Sequence, residues 1–557
     1  MNTAHFEFWP HRVSKTLTVP HTTLYENLSI TTKKYPDKIA IYYYGARYTY
    51  SELLDEVDAM AGYLEHEIHV EEGERVLLFM QNSPQFLISY YAILRLRAVV
   101  VPINPMNNAE ELAFYIKDGE IRTGIVGQEL YLQIEKLQKY APLEMVITAA
   151  YSDYTGDGEE LEELPGVVAA KAQEFEGTIP WKKAMKLKLI PSIYGGESDD
   201  IAVLPYTSGT TGLPKGCIHT NHSVQANTVG TFHWMNMTSD AVALTTLPLF
   251  HVTGMVHSMH TPIYAGAAMV IMTRWDRDYA AKAIEKYGCT HWINISTMII
   301  DFLSNSKLSH YNITSLQSIG GGGAPLPATV GENLTIVTGL KYIEGYGLSE
   351  TISQTHFNPP DRPKLQCLGI PSFGVDARII DGSTGKEVGA GEEGELIVSG
   401  PQLFQGYYKR DDENRNSFIE LDGKRFFRTG DIVKMDVEGY FFIVDRVKRM
   451  INASGFKVWP TEVESLLYKH PAIQQACVIG IPDSRRGETV KAYVILKEGQ
   501  EGKVSEKEII DWSKQHMAAY KYPRVIEFRK AFPTTSSGKI LWRKLQEEER
   551  GKSKETK

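Results

Sequence analysis

The chain has 557 residues, 43% of them hydrophobic and 23% charged, with a formal net charge of −9 and a pI near 6.0. That length exceeds one hydrophobic core and sets an expectation of about two to four domains, while the acidic balance, with no Lys/Arg stripe, argues against nucleic acid as a partner. Four cysteines, Cys217, Cys289, Cys367 and Cys477, lie far apart without a Cys-x-x-Cys pair, so neither a zinc site nor a disulfide framework is indicated and a reducing, cytoplasmic setting is expected.

Residues 1–20 mix His, Glu, Arg and Lys with aromatics and hold no continuous apolar core, unlike a secretory signal. Leu53, Leu54, Val57, Met60, Ala61 and Leu64 recur at helical spacing, and Thr49 with Glu52 forms a capping box at the start. Residues 75–80 read as a strand, 84–96 as a helix and 98–103 as a strand, and another helix starts at Ala109. The longest apolar stretch, residues 86–101, contains Arg95 and Arg97. Such charges are too costly at mid-bilayer for a span of that length, so a buried helix followed by a strand is expected. No transmembrane segment is predicted, which leaves peripheral membrane contact open.

Strand–helix alternation over residues 24–147 predicts a largely parallel sheet covered on both faces. Acidic and Gly-rich residues 151–166 read as a surface loop before a second α/β unit over residues 199–359. Between 360 and 446, Gly-Asp and Gly-Glu turns separate short alternating runs, a β-rich subdomain. A small α+β unit follows residue 448, with a helix over 461–468 after Pro460. Residues 546–557 are almost wholly polar and are expected to be disordered. The fold class is α/β: two α/β subdomains and a β-rich subdomain in a large N-terminal domain, then a small α+β C-terminal domain.

Tyr206-Thr207-Ser208-Gly209-Thr210-Thr211-Gly212-Leu213-Pro214-Lys215-Gly216 puts five hydroxyl side chains, three glycines and a lysine directly after an apolar strand at 201–204. Glycines allow close backbone approach, and successive N–H groups and short hydroxyls can turn inward as donors to phosphate oxygens. The spacing fails the P-loop of ATPases, because Pro214 stands five positions after Gly209 where that motif needs glycine. Taken alone, the composition also describes a solvated linker. The eleven residues resemble the phosphate-binding loop of the adenylate-forming superfamily, which comprises acyl-CoA synthetases, luciferases and peptide-synthetase adenylation domains. The resemblance implies that Thr207, Ser208, Gly209, Thr210, Thr211, Gly212 and Lys215 hold the phosphates of ATP, and that Thr207 contributes to a Mg²⁺ site.

The later landmarks of that superfamily follow in order. Pro248-Leu249-Phe250-His251-Val252-Thr253-Gly254 carries His251 where amino-acid-activating relatives have an aspartate for the substrate ammonium. A buried ammonium without a carboxylate is costly, which argues against amino-acid substrates and leaves His251 as a catalytic candidate. Gly320-Gly321-Gly322-Gly323-Ala324-Pro325-Leu326 resembles the segment lying along adenine, implicating Gly323, Ala324 and Pro325. In Tyr342-Ile343-Glu344-Gly345-Tyr346-Gly347-Leu348-Ser349-Glu350-Thr351 the resemblance implies that Tyr346, beside Gly345, stacks on adenine. It further implies that Thr351 reaches the α-phosphate and that Glu350 binds Mg²⁺, a hard cation suited to carboxylate, hydroxyl, water and phosphate oxygens. Asp431, in Arg428-Thr429-Gly430-Asp431, would bridge the ribose hydroxyls.

Asp445-Arg446-Val447-Lys448-Arg449-Met450-Ile451 resembles the hinge between a domain of residues 1–447 and a mobile domain of residues 448–557, with Arg446 near the nucleotide and Lys448 absorbing the rotation. Ser454, Gly455 and Lys457 lie where relatives line the tunnel for coenzyme A. Pro533-Thr534-Thr535-Ser536-Ser537-Gly538-Lys539-Ile540 resembles the C-terminal catalytic motif and makes Lys539 the mobile catalytic lysine.

The resemblance spans residues 25–545 and is strongest to bacterial medium- to long-chain fatty acid–CoA ligases. It implies ATP-dependent conversion of a carboxylic acid to an acyl adenylate, then transfer to coenzyme A with release of AMP, pyrophosphate having left in the first step. Phe232, Trp234, Met255 and Met298 are apolar candidates for the acyl pocket, and each also suits plain core packing. One methylene is worth only about 1–3 kcal/mol in such a pocket, so chain length is not legible. Competing readings are an aromatic or short-chain acid–CoA ligase, an enzyme that passes its acyl group to a carrier protein, and a non-catalytic binding protein. Intact Lys539 and Glu350 speak against the last, and the sequence leaves homodimerisation open.

Overall fold

The computed structural model describes residues 4–156, 164–207, 214–382, 384–446, 449–453, 456–483, 487–534 and 540–555. Local chemistry starts the helices where the sequence predicts. Thr49 accepts from the Glu52 N–H while the Glu52 side chain returns to the Thr49 N–H, opening Tyr50–His66 with Leu53, Val57, Met60, Ala61 and Leu64 buried. Ser83 caps Pro84–Arg95 by accepting from the Phe86 N–H, with Pro84 at the first helical position, and that helix, buried along nearly its whole length, leads into the buried strand Val99–Pro102. Among the described residues no helix is long and apolar enough to cross a membrane.

Two large sheets carry the N-terminal part. One orders His219–Thr220, Ile201–Val203, Val99–Pro102, Arg75–Phe79, Thr123–Gly127, Met145–Ala149 and Ile179–Pro180. The other runs Ile370–Pro371, Ser353–Phe357, Tyr342–Leu348, Ser318–Gly322, His291–Asn294, Val242–Thr245, Ala268–Ile271, Ile39–Tyr43 and Ala46–Thr49. Both are parallel in their interiors and take antiparallel strands at one or both edges, for example where Ser353–Phe357 folds back on Tyr342–Leu348.

The expected split into an early and a late α/β unit is corrected here. Ile39–Tyr43 crosses to the later sheet, with Ile41 beside Met269 and Tyr42 beside Val270. In exchange, Ile201–Val203 joins the earlier sheet, with Val203 beside Val100. Short apolar strands carry no partner information of their own, so pairing follows the packing of the helices between the sheets. One apolar cluster accordingly unites Leu28, Leu53, Tyr90 and Val224 on helices with Val100 of one sheet and Met269 of the other.

A five-stranded sheet built on Asp376–Ile380, Glu393–Ser399 and Lys424–Met435 follows, ending with Phe441–Arg446. The next strand, Ile451–Ala453, already belongs to another five-stranded sheet, built on the long hairpin of Ile473–Asp483 and Gly487–Leu496. The polar tail predicted to be disordered is instead helical over Trp542–Glu555. Leu545 anchors it in a cluster with Cys477, Tyr493 and Phe532. Glu549 accepts from the buried Lys491 Nζ at 2.7 Å and from Tyr493 Oη at 2.8 Å. A buried lysine needs such a partner, and that requirement is invisible in the composition of the tail.

Candidate active site

The two ends of the Gly/Ser/Thr stretch are paired strands. Tyr206–Thr207 pairs antiparallel with Lys215–Gly216, Thr207 opposite Lys215, so their side chains share a face. Ser208, Gly209, Thr210, Thr211 and Gly212 lie outside the described residues. Residues 405–408 grip the second strand and its continuation: Ile218 N donates to Gly406 O at 3.0 Å, Gln405 N to Ile218 O at 2.9 Å and Tyr408 N to Gly216 O at 2.8 Å.

Tyr407 is the centre of this junction. Its ring lies under Lys215 Nζ at 4.9 Å, and its Oη donates to Glu350 Oε1 at 2.7 Å. Phe404 N donates to the Glu350 carbonyl at 2.9 Å. Burial, reinforced by the Glu350 charge, pushes the Tyr407 phenol far above its ordinary range and keeps it a donor. Lys215 Nζ also faces Glu413 Oε1 at 4.0 Å. A cation and a carboxylate from two distant segments therefore meet at one residue that motif reading passes over. Gly406-Tyr407-Tyr408 looks in sequence like any aromatic turn.

Beside it runs a flat floor. Ser318–Gly322 lies parallel to Tyr342–Leu348, with Gly322 beside Gly345. A Cβ on Gly322 would stand 2.5 Å from Gly345 O, and one on Gly321 only 1.9 Å from Asn294 O, so side chains are excluded there. Gly323, at φ +85°, turns the chain into exposed Ala324 and Pro325. Ser296 Oγ holds that turn by donating to Ala324 O at 3.0 Å. Tyr346 Oη donates to Asp431 Oδ2 at 2.5 Å, joining residues far apart in sequence. Asp431 lies opposite Arg446 in the adjoining strand.

Thr351 requires a correction. It is fully buried, its Oγ1 donating to Ser353 O at 2.7 Å and accepting from Leu348 N at 3.0 Å. The hydroxyl closes the turn that carries Glu350 and does not face outward to a phosphate. Ser349, in the same turn, is partly exposed. Its carbonyl accepts from His219 Nε2 at 2.8 Å, which fixes the proton on that nitrogen. Burial pulls His219 down to about 4, so the ring is neutral and ties the Glu350 turn to the strand that follows Lys215–Gly216. His251 caps Val252–Met255, its Nδ1 accepting from Thr253 N at 3.3 Å. Asn82 holds the approach to it, donating to Leu247 O and accepting from Leu249 N, each at 2.8 Å.

The expected acyl-pocket residues do not converge. Phe232 packs on Tyr264 at 5.3 Å beside Met237, Ala241 and Ala267, while Trp234 lies in a separate cluster with Met298. Residues two apart on a helix face different ways, and Phe232 and Trp234 share Asn221–Trp234. Met255 sits in the core between the sheets, its sulfur accepting from Tyr90 Oη at 3.2 Å. Of the four, Trp234 alone borders the narrow crevice between this helix and Ser353–Phe357.

Lys448, Ser454, Gly455 and Lys539 lie outside the described residues, as do the side chains of Arg446 and Lys457. Glu350 and Thr207 offer hard oxygen donors, the set Mg²⁺ takes alongside phosphate oxygens and water, so the residues present fit that ion.

Residues 28–408 match the family model described as AMP-binding enzyme, and residues 462–539 match the AMP-binding enzyme C-terminal domain. A long-chain-fatty-acid–CoA ligase of Bacillus subtilis (strain 168) is 35% identical over 97% of this chain and 97% of its own length. An anthranilate CoA ligase in complex with anthranoyl-AMP superposes with a TM-score of 0.84 at 26% identity, over 96% of this chain and 98% of that one. ATP-bound MatB from Rhodopseudomonas palustris gives 0.81 at 26% identity, over 95% and 99%.

Proposed function

The chain belongs to the AMP-binding enzyme family and is an ATP-dependent acid–CoA ligase, and from that premise we propose which residues act and on what acid. The acid is a medium- to long-chain fatty acid, a reading supported by the fatty-acid ligase at 35% identity. Its carboxylate oxygen attacks the α-phosphorus of ATP and pyrophosphate leaves. The thiol sulfur of coenzyme A then attacks the acyl carbonyl carbon, and AMP departs with the electron pair of the broken C–O bond.

Both reactants of the first step are anionic, so the site must supply positive charge and oriented donors. Thr207, the loop residues 208–212 and Lys215 bind the phosphates. Glu350 and Thr207 would hold Mg²⁺, which when bound supplies positive charge at the phosphate oxygens. Tyr407 fixes the direction of the Glu350 carboxylate, and Thr351 and His219 fix the turn beneath it. Ser349 takes the place at the phosphate first expected of Thr351, which its partial exposure beside Glu350 supports. The glycine floor and Tyr346 receive adenine, and Asp431 accepts from the ribose hydroxyls. Lys539 is brought to the α-phosphate by a domain that begins at 448. The change of sheet between Arg446 and Ile451 supports that boundary. Arg446 stands by the nucleotide, and Ser454, Gly455 and Lys457 line the approach of coenzyme A. A cytoplasmic location accords with four buried free cysteines.

The meeting of Lys215, Tyr407 and Glu350 carries the assignment of the phosphate site. The test is AMP release with and without coenzyme A over acids from acetate through palmitate to cinnamate. Lys539→Ala is expected to lower acid-dependent pyrophosphate release by at least about 100-fold. Near-normal turnover removes Lys539 from the mechanism.

A further inference from the structure

We propose that residues 181–193 dock this protein on an anionic lipid bilayer, with Leu187, Ile190 and Ile193 entering the acyl boundary and Lys183, Lys186 and Lys188 meeting the headgroups. The inference uses no residue of the phosphate site and stands whichever acid is activated. Residues 181–196 carry four lysines and no aspartate or glutamate, in a chain whose formal net charge is −9. Every third residue from Leu187 is an exposed aliphatic: Leu187 is 50% exposed, Ile190 84% and Ile193 99%. Single apolar side chains on a surface are ordinary, whereas three at regular spacing among lysines mark an interaction site.

Packing behind the stretch imposes this exposure. Trp181 and Ala184 are buried and seat the helix Trp181–Lys186, Trp181 Nε1 donating to Tyr154 Oη at 3.1 Å, while Lys182, Lys183 and Lys186 are left exposed. Beyond the helix the backbone rests directly on Tyr50–His66, where a Cβ on Gly62 would come within 2.2 Å of Leu189 O. His66 Nε2 donates to Ile190 O at 2.9 Å, Ser192 N donates to Glu65 Oε2 at 2.8 Å, and Arg95 Nη2 donates to Ser192 O at 2.5 Å. Leu189 and Pro191 already take the inward positions, so the pinned chain has no room to fold Ile190 or Ile193 under itself.

Charge and shape select the occupant. The carboxylates beneath the stretch are engaged, Glu65 by Ser192 and Asp58 by Arg95 at 3.5 Å, and Lys182 is matched by Asp153 at 2.9 Å. Glu67, exposed at the end of Tyr50–His66, offsets one of the three remaining lysines. An anionic leaflet attracts the surplus, and lysine stems lie along aliphatic neighbours that enter the headgroup–acyl boundary. Side chains as exposed as Ile190 and Ile193 protrude, and a fluid bilayer accepts a protrusion without a matching pocket. The ridge lies at the C-terminal ends of Tyr50–His66 and Pro84–Arg95, on the side where Val99–Pro102 begins. Ile201–Val203 runs parallel to that strand and leads to Tyr206–Thr207 at the opposite side, so docking leaves the junction of Lys215, Tyr407 and Glu350 clear.

The experiment is co-sedimentation of the full-length protein with vesicles of phosphatidylcholine alone and of phosphatidylcholine with one third phosphatidylglycerol, at low and high salt. Wild type is expected to prefer the anionic vesicles by about 10-fold or more and to lose much of that preference in high salt. Ile190→Ser/Ile193→Ser and, separately, Lys183→Gln/Lys186→Gln/Lys188→Gln should each weaken binding by about 10-fold or more. All five side chains are exposed, so melting temperatures and pyrophosphate release with a water-soluble acid should stay at the wild-type level. The inference is overturned if wild type stays in the supernatant, if neutral vesicles bind as well, or if either variant binds as tightly as wild type. It is equally overturned if light scattering shows a dimer that Ile190→Ser/Ile193→Ser abolishes while vesicle binding is unchanged, since the ridge would then serve a second copy of the chain.

Discussion

Replacing Tyr407 with phenylalanine deletes one hydrogen bond and leaves the ring in place. The bond lost is the 2.7 Å contact to Glu350 Oε1. Hydrogen bonds to charged groups contribute about 1.5–3 kcal/mol. Felt wholly in the transition state, that is about 10- to 100-fold in kcat for adenylation. The ring face under Lys215 and the edge contact with Phe404 at 4.9 Å survive, so the cation–π and packing terms are retained. Pyrophosphate release measured against Mg²⁺ concentration is the assay, with kcat expected to fall and the half-saturating Mg²⁺ to rise. In a Glu350→Gln background the same change should add little, because the charged acceptor has already gone. Unchanged Mg²⁺ dependence, with activity lost only in proportion to unfolded protein, would refute the assignment of Tyr407 as the residue that positions Glu350.

Asp431→Asn should raise the KM for ATP by about 10-fold with a smaller effect on kcat, since a charged acceptor for hydroxyl donors becomes neutral; steady-state kinetics at varied ATP decides it. Gly321→Ala drives a Cβ to 1.9 Å from Asn294 O and should cost about 1–3 kcal/mol, seen as a lower urea midpoint. Acid should destabilise the fold. Burial lowers His219 to about 4 and His257, His260 and His356 to about 3, against 6.5 when unfolded. Their stability contribution is present above pH 6.5 and lost as pH falls toward those values, by up to about 1.4 kcal/mol per pH unit for each ring. Glu344, raised to about 7 by burial against the pull of backbone N–H donors, works the other way. Its contribution is full below about 4.5 and gone above about 7, but it is one proton against four. Melting temperatures should drop between pH 6.5 and 5, and a flat profile would contradict the neutral buried histidines.

Short-range signals in the sequence were sufficient for the early helices Tyr50–His66 and Pro84–Arg95. The Thr49–Glu52 box, the Leu53-to-Leu64 spacing and the Ser83-Pro84 start act within one or two turns of chain, so they read correctly without knowledge of the fold. The strand after Lys215–Gly216 leads into Asn221–Trp234, which periodicity does not announce. Asn221, Gln225, Asn227 and Thr231 on that helix are buried yet polar, and each has partners supplied from elsewhere in the chain.

The sequence by itself determined where the Gly/Ser/Thr-rich stretch, the glycine run and the carboxylate-bearing turn lie and the order in which they come, because glycine, hydroxyl and charge content are properties of single residues and near neighbours. Only the tertiary structure decided that Ile39–Tyr43 and Ile201–Val203 trade sheets, that Thr351 turns inward while Ser349 stays accessible, and that Tyr407 joins Lys215 to Glu350. Each of those outcomes depends on which distant surfaces are buried against one another, and side-chain direction and strand partnership exist only once that burial has taken place.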